Sequence, residues 1–115
     1  MSRNGKWWHK FNHDRILKDQ FVWNLPNDAL GMMTRLHCMV GSTERGHESG
    51  FLCSAIGDKI SKESLIRLLS RGDTMTEPQI KHCLELLVNA EQLCAKAYNR
   101  GHIKLLNWES DQEMP

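Results

Sequence analysis

The sequence predicts a mainly α-helical domain with a small antiparallel β-sheet, ordered as a winged helix-turn-helix, and three features predict it. Two amphipathic stretches, 61–71 and 76–90, are separated only by Gly72, Asp73, Thr74 and Met75, a turn short enough to make consecutive helices cross steeply. After them, 93–98 and 102–106 flank Asn99-Arg100-Gly101, a three-residue loop with Gly where positive φ is wanted, which reads as a hairpin. Before them, 50–55 reads as a short strand suited to close the sheet against that hairpin.

The composition bounds the answer. With 115 residues, 40% hydrophobic and 25% charged, the chain can build one modest core and not two. The expected division is an aromatic segment with a short helix over 1–26, a core over 27–108 and an acidic frayed tail over 109–115. No apolar run reaches about 18 residues, and the basic start leads into Trp7, Trp8, His9 and Lys10 rather than a signal core. A soluble cytoplasmic protein is therefore expected, away from membranes and nucleoid-associated in a bacterial or phage setting.

The first residues suggest an extended piece from Trp7 to Phe11 and a helix from about Asp14 to Phe21. Their aromatic side chains cover one side of the core or, in the sharper reading, make Trp7, Trp8, Phe11 and Phe21 a self-association surface. Pro26 breaks the chain and Asn27 caps the next helix. That helix carries Ala29, Met32, Met33, Leu36, Met39 and Val40 on one face and stops at Gly41. The polar residues 42–49 read as a mobile loop.

In the first helix of the pair, Ser61 serves as cap, and Leu65, Ile66, Leu68 and Leu69 supply the buried side. Lys62, Glu63, Arg67 and Arg71 remain outside, and Gly72 stops the helix. The second is better marked: Thr76 and Gln79 have capping-box spacing, and Pro78 falls in the first turn, where its missing N–H costs nothing. Ile80, Cys83, Leu84, Leu87 and Val88 form its buried stripe, opposite Lys81, His82, Glu85 and Asn89.

In the hairpin, a register with Tyr98 facing His102 places Lys96 opposite Lys104 on one polar side, and Ala95, Ala97, Ile103 and Leu105 on the other. Two facing lysines repel by up to about 1 kcal/mol, which an anion would relieve. The same lysines also fit an ordinary solvated edge that blocks strand pairing. Net charge is only +1, yet from Lys59 to Lys104 eight Lys or Arg stand against five Asp or Glu. Cys38, Cys53, Cys83 and Cys94 lack C-x-x-C spacing and read as small core residues; neither a metal site nor a cofactor is expected.

The chain resembles the N-terminal winged-helix domain of phage replisome organisers and DnaD-type primosomal replication initiation proteins. The resemblance opens at Trp8-His9-Lys10-Phe11, runs through Asp14 to Lys18, and closes at Ile103 to Gln112, where Asn107-Trp108-Glu109 and Gln112 are its most distinctive residues. It implies a role in replication initiation, through DNA or self-assembly, with a helicase or helicase loader as protein partner. Members of that family continue into a second domain, so this chain reads as an excised domain or a short relative.

Two functions follow. In the first, a duplex DNA binder, Gln79, Lys81, His82 and Glu85 enter the major groove. Lys96, Arg100, His102 and Lys104 on the wing, with Lys62, Arg67 and Arg71, hold phosphates. In the second, a homo-oligomerising interaction module, the same fold docks proteins and has little DNA affinity. The lone Lys and the exposed Glu85 on the second helix favour this alternative. No phosphate loop, nucleophile elbow or paired carboxylates point to an enzyme.

Overall fold

The computed structural model describes residues 17–72 and 75–108 and is mainly helical. Trp7, Trp8 and Phe11, the expected extended piece, the tail 109–115, and Asp73 and Thr74 of the expected turn lie outside the described residues.

The scaffold is the helix α2 (Asn27–Gly41), which buries Ala29, Met32, Met33, Leu36 and Val40 at helical spacing, together with His37. Its N-cap is Pro26 rather than Asn27, the Pro26 carbonyl accepting the Leu30 N–H at 3.0 Å. Ahead of it, α1 (Gln20–Trp23) begins afresh at Asp19, whose carboxylate accepts the Phe21 N–H at 2.9 Å. The single helix expected over 14–21 is thus broken at Asp19, because an N-cap residue needs extended backbone.

The polar stretch expected as a loop contains a helix, α3 (Glu44–Ser49). Thr43 caps it by accepting the Gly46 N–H, Glu44 complements its first turn, and Gly50 ends it at φ 79°. Those signals were present in the sequence; the lack of an apolar stripe hid them. Gly50 also lets the chain pass Trp108 closely, since a Cβ there would lie 3.0 Å from the Trp108 Cβ. Trp108 is itself buried, and its indole Nε1–H donates to the His47 carbonyl at 2.7 Å. The end of the described chain is thereby pinned to α3.

The helix pair is α4 (Lys62–Ser70) and α5 (Glu77–Asn89). Ser61 caps α4 through the Ser64 N–H, and Leu65 is fully buried, with Ile66 and Leu69 packed on the core. Leu68, expected inside, is 49% exposed. In α5 the capping box is formed: Thr76 Oγ1 accepts the Gln79 N–H and Gln79 Oε1 accepts the Thr76 N–H. Ile80, Cys83, Leu84 and Leu87 are all completely buried. Each such aliphatic side chain contributes about 1.5–3 kcal/mol of burial.

The expected sheet is reduced to single antiparallel bridges, Phe51 with Lys104, Cys53 with Lys59, Ser61 with His102 and Leu93 with Leu105. The segment 102–105 lies between 50–53 and 92–94: Leu52 N–H donates to Ile103 O at 2.8 Å, and Cys94 N–H to Lys104 O at 2.9 Å. The first segment does not run on to Ala55; it turns back at once, Ser54 N–H donating to Asp58 O at 2.8 Å.

The largest departure is the wing. Where the hairpin was expected, residues 95–99 form a helix, α6 (Ala95–Asn99), so neither the Lys96–Lys104 nor the Tyr98–His102 pair exists. Two alanines and a lysine suit a helical turn better than a strand. Helical winding also buries Ala97 and Tyr98 together. Gly101 has the positive φ the loop called for (88°), but uses it to end α6. Its N–H donates to Tyr98 O and the His102 N–H to Ala97 O, the two bonds of a Schellman motif.

Candidate nucleic-acid interface

The residues proposed for base contact sit on the outer side of α5. Gln79, Lys81, His82 and Glu85 are all exposed, opposite the buried Ile80, Cys83, Leu84 and Leu87. Gln79 spends its side-chain oxygen on the capping box, which leaves its amide N–H groups to meet a ligand. Between α4 and α5 lies an open concavity of about 470 Å³ lined by Glu63, Ile66, Arg67, Glu77, Pro78 and Lys81. Two carboxylates and two cations balance there. The groove offers a polyanion no net attraction.

The phosphate-binding residues assigned to the wing divide into two groups. Lys96 and Arg100 are exposed on α6 and its C-cap. Tyr98, expected beside them on the polar side, is instead buried; its hydroxyl meets no hydrogen-bond partner among the described residues. Burial first, then the negative charges of Glu85 and Glu63, raise its pKa.

Lys62, expected as a phosphate contact, turns inward. Its Nζ donates to Tyr98 O at 3.0 Å and lies 4.0 Å from the Tyr98 ring centroid, and its backbone N–H donates to Gly101 O at 2.8 Å. An ammonium at the carbonyl end of α6 complements that helix's dipole and holds it to the start of α4.

His102 and Lys104 are drawn away from Lys96 to another ring. The Phe51 and His102 rings meet edge-on with centroids 6.5 Å apart, while Lys59 Nζ lies 4.0 Å and Lys104 Nζ 5.2 Å from the Phe51 centroid. Phe51 and Lys59 were not among the sequence candidates. The alternation from Gly50 to Cys53 places Phe51 opposite the buried Leu52, but only the pairing across the chain brings three basic side chains to it.

Next to this cluster is a second concavity, of about 670 Å³, whose lining includes Ser54, Asp58, Lys59, Ser61, Arg67 and Arg71. Three cations here face one carboxylate. Arg67 and Arg71 line it from α4, on a surface richer in positive charge than the groove beside α5.

Of the cysteines, Cys53 and Cys83 are buried, but Cys94 is half-buried and Cys38 exposed, so the expectation of four core cysteines holds for two. Burial raises the pKa of Cys53 and, with the neighbouring Asp28 carboxylate, that of Cys83 to about 11, which keeps both as protonated packing groups. Among the described residues, no three His, Cys, Asp or Glu side chains group closely enough to hold a metal ion, and no helix is long and apolar enough to cross a membrane.

Phe21, the one member of the aromatic interaction surface within the described residues, is 56% exposed, with Leu17 and Trp23 also largely in solvent. Compared with protein families, curated proteins and solved structures, the chain gave no match.

Proposed function

We propose that the chain is a winged-helix variant whose wing is a single helical turn, and that it is a non-enzymatic duplex DNA binder acting in replication initiation. The observation that carries this reading is the order of elements: α4, α5, then 93–94, α6 and 102–105, with 102–105 between the other two extended segments. In that order α5 presents Lys81, His82 and the Gln79 amide to a major groove, and α6 presents Lys96 and Arg100 to the adjoining phosphates. The resemblance of the closing Asn107-Trp108-Glu109 to replisome organisers supports the replication setting. Within the structure, the Trp108 of that stretch is buried and holds the end of the described chain to α3.

Fluorescence anisotropy with a labelled random-sequence duplex, over a salt series, tests the reading. Two phosphates neutralised by Lys96 and Arg100 give a log–log slope of about −1.8, at about 0.9 per phosphate. The triple Lys81→Ala/Lys96→Ala/Arg100→Ala variant loses most of that binding. No binding at low salt, or binding unchanged in the triple variant, overturns it.

A second reading, self-association or docking onto a replicative helicase or its loader, is favoured by the exposure of Leu17, Phe21 and Trp23 and by the charge balance of the α4–α5 groove. Light scattering after size exclusion tests the self-association part. A Phe21→Ser/Trp23→Ser variant that is smaller in solution than the unsubstituted chain supports it; a monomer in both cases removes it.

A further inference from the structure

We propose that Phe51 and the basic concavity beside it form a second nucleic-acid site, specific for single strands, in which an unpaired base stacks on the Phe51 ring and the adjoining phosphates follow Lys59, Arg67 and Arg71. The inference goes beyond duplex binding through α5 and α6 and uses different residues.

Three observations converge on it. Leu52 and Ile103 are buried while their neighbours Phe51, His102 and Lys104 are not, so the last three share the outward face of the bridged segments. On that face a half-buried phenyl ring has two ammonium groups, from Lys59 and Lys104, within 5.2 Å of its centroid and an imidazole nearly perpendicular to it. Lys59 also lines the 670 Å³ concavity that leads along α4 to Arg67 and Arg71.

The polar groups of that concavity are unevenly engaged. Ser61 Oγ accepts the Ser64 N–H and donates to Ser64 Oγ, so these hydroxyls serve the helix cap. Ser54 Oγ, in contrast, is buried with no hydrogen-bond partner among the described residues. Closed off from solvent, that hydroxyl is out of a ligand's reach, so contacts to a phosphate fall to the cations that line the concavity.

The chemistry selects an unpaired strand. In a duplex each base face is covered by its neighbours, so a phenyl ring gains nothing by approaching it; in a single strand the base face is free to stack. Cation–π attraction holds the Lys59 ammonium over the ring when no base is present. Lys59 is exposed and long enough to swing away, so an arriving base takes its place and the ammonium moves to a phosphate. No covalent bond changes. The Asp58 carboxylate lines the same concavity and repels phosphate, against the attraction of Lys59, Arg67 and Arg71.

The test compares a fluorescein-labelled oligodeoxythymidine with a length-matched abasic phosphodiester strand, which has the same backbone charge but no bases. On the unsubstituted protein the thymidine strand binds about tenfold more tightly or better. Phe51→Leu abolishes that preference without changing duplex affinity, and Lys59→Ala, at an exposed position, weakens both single strands. Lys96→Ala/Arg100→Ala weakens duplex binding alone, so the two sites fail separately. Equal affinity for the thymidine and abasic strands overturns the proposal on the unsubstituted protein, without recourse to any variant. So does a folded Phe51→Leu protein that keeps the preference, or displacement of the thymidine strand by polyglutamate at equal charge concentration, which would assign the surface to acidic proteins.

Discussion

The helices α5 and α6 both carry side chains proposed to meet DNA, but they are held in opposite ways. Within its thirteen residues and its cap α5 contains a reciprocal capping box, a proline in its first turn and a completely buried stripe. In its five residues α6 has no side-chain cap; it depends on Lys62 from α4, on burial of Tyr98, and on Gly101 to end it. A five-residue helix is far below the length that is stable alone, so α6 exists because its neighbours hold it. The lesson is functional. The α5 face is presented rigidly, while Lys96 and Arg100 are only as well placed as the contacts that fold α6.

The sharpest way to break this contrast is at the tertiary pin shared by the C-terminal half. Trp108→Ala removes a buried indole and its hydrogen bond to His47, and should cost about 3–5 kcal/mol, measured by urea unfolding. A loss below about 1 kcal/mol would mean that Trp108 does not anchor this region. Next, Gly101→Ala forces a side chain into the left-handed region at φ 88°, at a cost of about 1–3 kcal/mol. It should weaken duplex binding more than its stability loss explains, because α6 unwinds before α5. Equal loss of α5 and α6 amide protection in hydrogen exchange would contradict the division.

Smaller still, Thr76→Ala deletes one half of the capping box and should lower stability by about 1 kcal/mol while leaving the α6 amides unaffected. The mildest effect is a pH dependence carried by α5. The Cys83 thiol ionises at its ordinary 9.0 when unfolded but holds its proton to about 11 when folded, because of burial and then of Asp28. A raised folded-state pKa leaves its stabilisation intact below pH 9 and loses it as pH climbs towards 11. Between pH 8 and 9.5 the loss stays below about 1 kcal/mol and should shrink in Cys83→Ala, as followed by the urea midpoint at each pH.

How much of this was legible in the sequence follows the same division. The α5 capping box, the Ile80-Cys83-Leu84-Leu87 stripe, the Ser61 cap and the apolar face of α2 are all patterns within a few residues, and all are present. The α3 helix had its caps in plain order, yet without an apolar stripe it read as a loop. Residues 93–106 misled because Asn-Arg-Gly is common to a hairpin loop and a helix end, and the choice depended on Lys62, distant in sequence.

For the candidate sites, the exposure of Gln79, Lys81 and His82 could be read from spacing, since each falls opposite a buried stripe, whereas Lys96 and Arg100 are exposed on a helix and its cap rather than on the expected hairpin. The gathering of Lys59, His102 and Lys104 around Phe51 could not, because bridges between 51 and 104 and between 61 and 102 create it. Sequence alone determined the mainly helical class, the boundaries of the long helices and their buried faces, because caps and stripes act over one or two turns. Tertiary structure alone decided that 95–99 is helical, the inward turn of Lys62 and the company of Phe51. Those depend on contacts between residues tens of positions apart, whose energies no local pattern records.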